Sequence, residues 1–130
     1  GFAAACDAVS STFREDSQRE AGLISEFAEK FAALDGAVVN GAHEAPHILS
    51  LAIPGVPVQN TINILQDSGI CVSAGSACAK GHRSHVLTAM GLPPETIDSA
   101  FRISLCRDTT REELEALYTV IRDKVLPRVR

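Results

Sequence analysis

The sequence predicts an α+β domain: a small, mostly antiparallel sheet covered on one face by helices, with a long helix at its N-terminus. Three observations carry this expectation. Apolar residues recur at helical spacing between Phe2 and Leu34, the mark of an amphipathic helix. Several short β-type runs follow, separated by glycine, proline and helical stretches. A second amphipathic stretch, opened by a capping box, closes the chain.

Phe2, Cys6, Val9 and Phe13 share one helical period, and Ile24, Phe27, Phe31 and Leu34 continue it. Residues 2–34 read as one long helix, or as two helices broken near Ser10-Ser11-Thr12. Thr12 and Glu15 are spaced for a capping box at that break, and Asp35-Gly36 supplies the stop. At about 1.5 Å per residue, this segment overhangs a compact domain. Its N-terminal apolar stripe calls for a partner outside that domain, which points to a larger protein.

Ala37–Val39 and His47–Ile53 are β-type runs, the second ended by Pro54-Gly55. Val58–Gln66 has helical spacing at Ile62 and Leu65, with Pro57 suited to a first helical turn and Gly69 to the stop. Ile70–Ser73 reads as a short strand running into the stretch SAGSACAKGHRSH. Ser84 can cap a helix bearing Val86, Leu87 and Met90, closed by Gly91 and Pro93-Pro94. From Ala100 to Cys106, Phe101, Ile103 and Leu105 alternate with Arg102 and Ser104, as in a half-buried strand. Thr110-x-x-Glu113 opens the last helix, whose apolar face carries Leu114, Leu117, Tyr118, Ile121 and Val125.

Composition narrows the function classes. A 130-residue chain with 45% hydrophobic and 22% charged residues belongs with proteins that bury a core. A net charge of -4 offers no basic field for a phosphate backbone, so a nucleic-acid partner is not expected. No apolar run approaches the roughly 20 residues of a membrane span. The N-terminus GFAAACDAV lacks the basic region of a secretory signal. Cys6, Cys71, Cys78 and Cys106 are irregularly spaced and do not resemble a disulfide framework. A reduced, cytoplasmic protein is the expectation.

The segment SAGSACAKGHRSH concentrates the reactive chemistry. As zinc ligands, Cys71, Cys78, His82 and His85 have the spacing C-x6-C-x3-H-x2-H, which matches no standard pattern; no metal is expected. Cys71 and Cys106 read instead as small buried hydrophobes. Ser73-x-Gly75-Ser76 has the small residues of an anion cradle but lacks both phosphate-loop spacings, and a tight strand-exit turn is the simpler reading. Cys78 lies among small, polar and basic residues just before a helix start. Lys80, His82, Arg83 and that helix N-terminus would all favour its thiolate. On the residues alone, two readings of Cys78 stay open, a reactive nucleophile or an incidental exposed thiol. His82 and His85 are either a base for that thiol or solvated loop residues, and His43 and His47 border a strand. Arg102 projects opposite its apolar neighbours; its guanidinium suits a carboxylate, although a surface ion pair is the ordinary outcome.

GICVSAGSACAKGHRSHVLTAMG, around Ile70–Met90, closely resembles the active-site cysteine segment of pyridoxal-phosphate-dependent cysteine desulfurases of the NifS-like type, which have the class V aminotransferase fold. SAFRISLCRDTTREE, Ser99–Glu113, resembles the segment that follows it in that family. The His47–Leu51 run and the Val39-Asn40-Gly41 turn are similar as well, so the resemblance covers nearly the whole chain. It implies that Cys78 is the catalytic nucleophile, which takes sulfur from L-cysteine as a persulfide and releases alanine. It implies that Arg102 binds the substrate carboxylate, and that a sulfur-acceptor or scaffold protein and a second subunit of a homodimer are partners. Residues 1–34 then resemble the connecting helix and residues 35–130 the C-terminal small domain. The cofactor lysine of such enzymes lies in a large domain not present here. Lys30, Lys80 and Lys124, the only lysines, are not placed to hold pyridoxal phosphate, so no cofactor-binding residue is expected and the chain alone should be inert. The alternatives are a class V aminotransferase or selenocysteine lyase-like domain, or a stand-alone zinc or protein-binding module.

Overall fold

The structure, a computed structural model, describes residues 1–42, 44–75 and 83–129. Its elements are α1 (Phe2–Ser10), α2 (Phe13–Ala32), β1 (Val38–Asn40), β2 (Ile48–Ala52), α3 (Val58–Asp67), α4 (His85–Ala89), α5 (Pro94–Ser99), β3 (Ala100–Ser104) and α6 (Arg111–Val120). The strands form an antiparallel sheet in the order β1-β2-β3. The α+β class and the small antiparallel sheet are as the sequence predicts.

Alternation along the strands divides the sheet into two faces. Leu49 and Leu51 of β2 and Phe101 and Ile103 of β3 are buried against helices. They share one cluster with Ile24, Phe27 and Phe31 of α2, Leu65 of α3, and Leu114, Leu117, Ile121 and Val125 of the C-terminal helix. Ser50, Arg102 and Ser104 face the other way. At one end of that second face α5 packs beside β2, and Ala52 and Ala100 are buried. Among the described residues, the stretch around Ser50 and Arg102 borders an open cleft.

Hydrogen bonds reinforce this layering. Arg19 of α2 donates to the carbonyls of Cys106 (3.2 Å), Arg107 (2.6 Å) and Thr109 (2.7 Å), tying α2 to the turn after β3. Arg111 pairs with Glu26 and Lys30 with Glu115, joining α2 to α6. The Thr110–Glu113 capping box forms in both directions: Thr110 Oγ1 accepts from the Glu113 amide and the Glu113 carboxylate accepts from the Thr110 amide. Thr110→Ala removes the acceptor and should cost about 1 kcal/mol. That corresponds to a melting temperature lower by about 4 °C, readable by circular dichroism. An unchanged melting temperature would mean that α6 is held by packing alone.

Several local expectations are corrected. The N-terminal stretch is two helices, interrupted at Ser11-Thr12, but the Thr12–Glu15 box does not form. Thr12 keeps φ −116° and ψ −5°, away from the extended geometry that aims a cap side chain at the first amides. Its Oγ1 is buried without a partner among the described residues. The Ile70–Ser73 strand contracts to one bridge, Ser73 with Arg102. Gly69, at φ +77°, ends α3 in a left-handed turn, and the Ile70 amide bonds back to the Leu65 carbonyl. Only Ser73 then reaches the sheet edge. Pro93-Pro94 does more than stop a helix: Pro94 opens α5, where a missing N–H costs nothing. After Val120 the last helix widens into a π-turn, Ile121–Val125, and tightens at Leu126–Arg128. Pro127 has no N–H to continue the regular ladder.

The long N-terminal overhang has its counterpart in α1, which buries none of its residues. Phe2 is 88% exposed and Phe13, at the start of α2, 60%. No helix among the described residues is long and apolar enough to cross a membrane.

Candidate functional site

The sheet face around Ser50 and Arg102 supplies the site. Arg102 lies in the middle of β3, opposite Ser50 of β2. On its other side, the Arg102 amide donates to the Ser73 carbonyl at 2.7 Å and the Ser73 amide donates back at 3.1 Å. The backbone therefore holds Arg102 between two serine-bearing segments. Its side chain is exposed, and among the described residues it has no hydrogen bond or ion pair. No described residue provides the ordinary surface pairing of such an arginine.

A cleft of about 630 Å³ opens over this face, bordered by Ser50, Gly75, Ser84, His85, Asp98 and Arg102. The chain turns out of the sheet just after Ser73. Ser73 Oγ donates to the Gly75 carbonyl at 3.1 Å, and Gly75 adopts φ +73°, which a side chain would strain. At the far rim, Ser84 caps α4 by accepting from the Leu87 amide, as its position in the sequence predicts. His85 begins α4 and lines the cleft.

Arg83 also lines the cleft, but its charge is matched. Its Nε and Nη2 donate to the two carboxylate oxygens of Asp98, both at 2.7 Å. This fork holds the Asp98 carboxyl below its ordinary range and the Arg83 guanidinium above its own, in both cases chiefly through the hydrogen bonds. Arg102 is left as the unmatched guanidinium among the described residues of the cleft. A cleft of this size, with one guanidinium that no described residue engages, suits a small molecule carrying one carboxylate.

The lysines sit elsewhere. Lys30 pairs with Glu115 and lies over the rings of Phe27 (4.8 Å) and Tyr118 (5.2 Å) on the helical side. Lys124 donates to Ser68 Oγ at 3.1 Å. Neither borders the cleft, so the described residues do not fit a lysine-held cofactor. They also contain no group of three or more histidine, cysteine or acidic side chains poised to hold a metal.

Cys78, Lys80 and His82 lie outside the described residues, as does His43. Arg83, expected to favour a thiolate at Cys78, is engaged by Asp98 instead. Cys71 and Cys106 are exposed, not buried as expected. Leu105 takes the inward place at the end of β3, so Cys106 points outward, and Cys71 lies in the irregular stretch before Ser73. Thr109 Oγ1 donates to Cys106 Sγ at 3.6 Å. That hydrogen bond first, and the Asp108 backbone next, hold the thiol below its ordinary range. Cys106 does not border the cleft. Ser50 and Asp98 do, and neither belongs to a motif: Ser50 is marked only by its polar character between Leu49 and Leu51, and Asp98 by nothing local.

Comparison with known proteins bears on this geometry. The family model for class-V aminotransferases matches residues 1–117. A cysteine desulfurase of Azotobacter vinelandii (strain DJ) is 36% identical over 104 residues, which cover 77% of this chain and 25% of that protein. A cysteine desulfurase of Nostoc sp. (strain PCC 7120) is 35% identical over 96 residues, covering 71% of this chain and 24% of the other. A solved NifS-like protein superposes with a TM-score of 0.81 at 28% identity, over 95% of this chain and 32% of its own. The NifS-like protein of Rickettsia africae gives 0.72 at 26% identity, over 85% and 29%. The chain thus spans about a quarter of the length of the curated relatives it matches.

Proposed function

We propose that this chain, which belongs to the class-V aminotransferase family, forms the carboxylate-binding and sulfur-accepting side of a cysteine desulfurase active site. The family depends in general on pyridoxal phosphate. Neither described lysine, Lys30 or Lys124, borders the cleft, and Lys80 stands in the cysteine segment itself; the proposal follows the family resemblance in assigning the cofactor to a larger companion domain and leaves this chain inert by itself. In that protein, residues 1–34 connect the two parts and residues 35–130 form the small domain. The proposal includes homodimerisation, a cytoplasmic location and a protein acceptor for the sulfur.

The overall reaction joins L-cysteine and the thiol of Cys78 to give L-alanine and a persulfide on Cys78. The Cβ–Sγ bond of the substrate breaks, an S–S bond forms, and the carbon takes up a proton. The role of Arg102 is to hold the substrate carboxylate, and that of Cys78 is to present a thiolate to the substrate sulfur. One observation carries this reading. Arg102, which has no side-chain partner among the described residues, and Ser73, which leads into the SAGSAC segment, exchange both backbone hydrogen bonds. The carboxylate anchor and the start of the cysteine segment are therefore tied to each other.

Arg102→Ala in the enzyme that carries this chain should raise the KM for L-cysteine about 10- to 100-fold, the worth of a charge-assisted hydrogen bond. Steady-state kinetics at constant pH measures it. An unchanged KM would remove Arg102 from the site and leave the proposal without its anchor.

A further inference from the structure

We propose that Ser50 is a second donor to the substrate carboxylate, working beside Arg102 and so fixing how the substrate lies on the sheet; this rests on the reading of Arg102 above. Ser50 sits at the centre of a polar row that crosses all three strands. Asn40 of β1 is directly opposite Ser50 of β2, and Ser50 is directly opposite Arg102 of β3. Directly opposed residues in an antiparallel pair carry Cβ atoms roughly 5 Å apart on the same face. Ser50 and Arg102 both line the cleft, so one small anion can reach both.

The hydrogen-bond inventory decides which serine can serve. A hydroxyl carries one proton and two lone pairs. Ser73, the other serine beside Arg102, commits its proton to the Gly75 carbonyl. With no proton left, it can only accept, and a carboxylate offers it nothing. Ser50 has the opposite arrangement. Asn40 Nδ2 donates to Ser50 Oγ at 3.2 Å, occupying a lone pair, and among the described residues the Ser50 hydroxyl donates to no partner, which leaves its proton for the cleft. Asn40 is 6% exposed, and its amide meets Ser50 through Nδ2, while its Oδ1 is buried with no partner among the described residues. A guanidinium fork together with a hydroxyl donor from the neighbouring strand pins a carboxylate in orientation as well as position.

The test uses the intact enzyme and two competitive ligands, L-alanine and L-alaninamide, which differ only in the carboxylate. Ser50→Ala should weaken L-alanine about tenfold, as expected for loss of one hydrogen bond to a charged group. L-Alaninamide should be unaffected, and Ser50→Thr, which keeps the hydroxyl, should restore L-alanine binding. Equal weakening of both ligands by Ser50→Ala would show a structural effect and overturn the assignment. So would an unchanged L-alanine constant in Ser50→Ala while Arg102→Ala weakens it, a result that leaves the Arg102 reading standing. If Arg102→Ala also leaves L-alanine unchanged, the carboxylate site itself is refuted.

Discussion

Cys78→Ala, in the enzyme that carries this chain, should abolish transfer of sulfur from L-cysteine to protein while leaving the absorbance of the bound cofactor intact. The proposed reaction needs a thiolate to take up the sulfur, and alanine removes the nucleophile the proposal assigns, with little loss of volume. None of the described cysteines borders the cleft. Cys6 lies on α1, and neither Cys71 nor Cys106 borders the cavity. Cys106 is the stricter comparison, because Thr109 holds its thiol below the ordinary range. A low thiol pKa without access to the substrate gives no transfer, so Cys106→Ala should retain activity. Mass spectrometry of the enzyme after incubation with L-cysteine reads one added sulfur on the parent and none on Cys78→Ala. Undiminished sulfide release by Cys78→Ala would refute the assignment of the nucleophile.

The second large effect concerns stability. Phe31→Ala should destabilise the domain by about 3–5 kcal/mol, the range for a buried phenyl replaced by a cavity. Phe31 is fully buried where α2 meets the C-terminal helix, its ring 6.3 Å from that of Phe27 and 5.7 Å from that of Tyr118. Against a typical domain stability of about 5–15 kcal/mol, that loss removes a large share. Phe13→Ala is the control: Phe13 shares the helical period but is 60% exposed, and its loss should stay within about 0.5 kcal/mol. Urea denaturation of both variants checks the contrast. Equal midpoints would mean that α2 is not anchored in the core as its packing indicates.

The contrast between Phe31 and Phe13 also shows how far a periodic pattern reaches. Both residues lie on one apolar stripe, and periodicity ranks them alike. Burial separates them because the sheet and α6 cover only the C-terminal half of the stripe. The strand alternation at Phe101, Arg102 and Ile103 was legible for a similar local reason: neighbouring residues in a strand must face opposite ways. It marked Arg102 as outward-facing. It could not show that Asp98 would engage Arg83 and that Arg102 would have no partner among the described residues.

The failures follow the same division. The Thr110 box formed because its two bonds join residues within one helical turn and the extended Thr110 backbone aims the side chain. The Thr12 pattern has similar spacing, yet the backbone runs from α1 into α2 without becoming extended, and the box is lost. Cys71 and Cys106 looked buried by residue type, but the ends of the elements beside them turned both outward.

By itself, then, the sequence determined the terminal helices, the Ser84 and Thr110 caps, the strands around Val38, Leu49 and Arg102, and the resemblance centred on Cys78 and Arg102. These features depend on contacts between near neighbours or on residue identity. The tertiary structure alone decided that Asn40, Ser50 and Arg102 form one row, that Ser73 spends its proton on Gly75 and Ser50 does not, and that Arg83 is neutralised. Strand register joins positions as far apart as Asn40 and Arg102, and that pairing is set by which faces bury apolar surface in the assembled core.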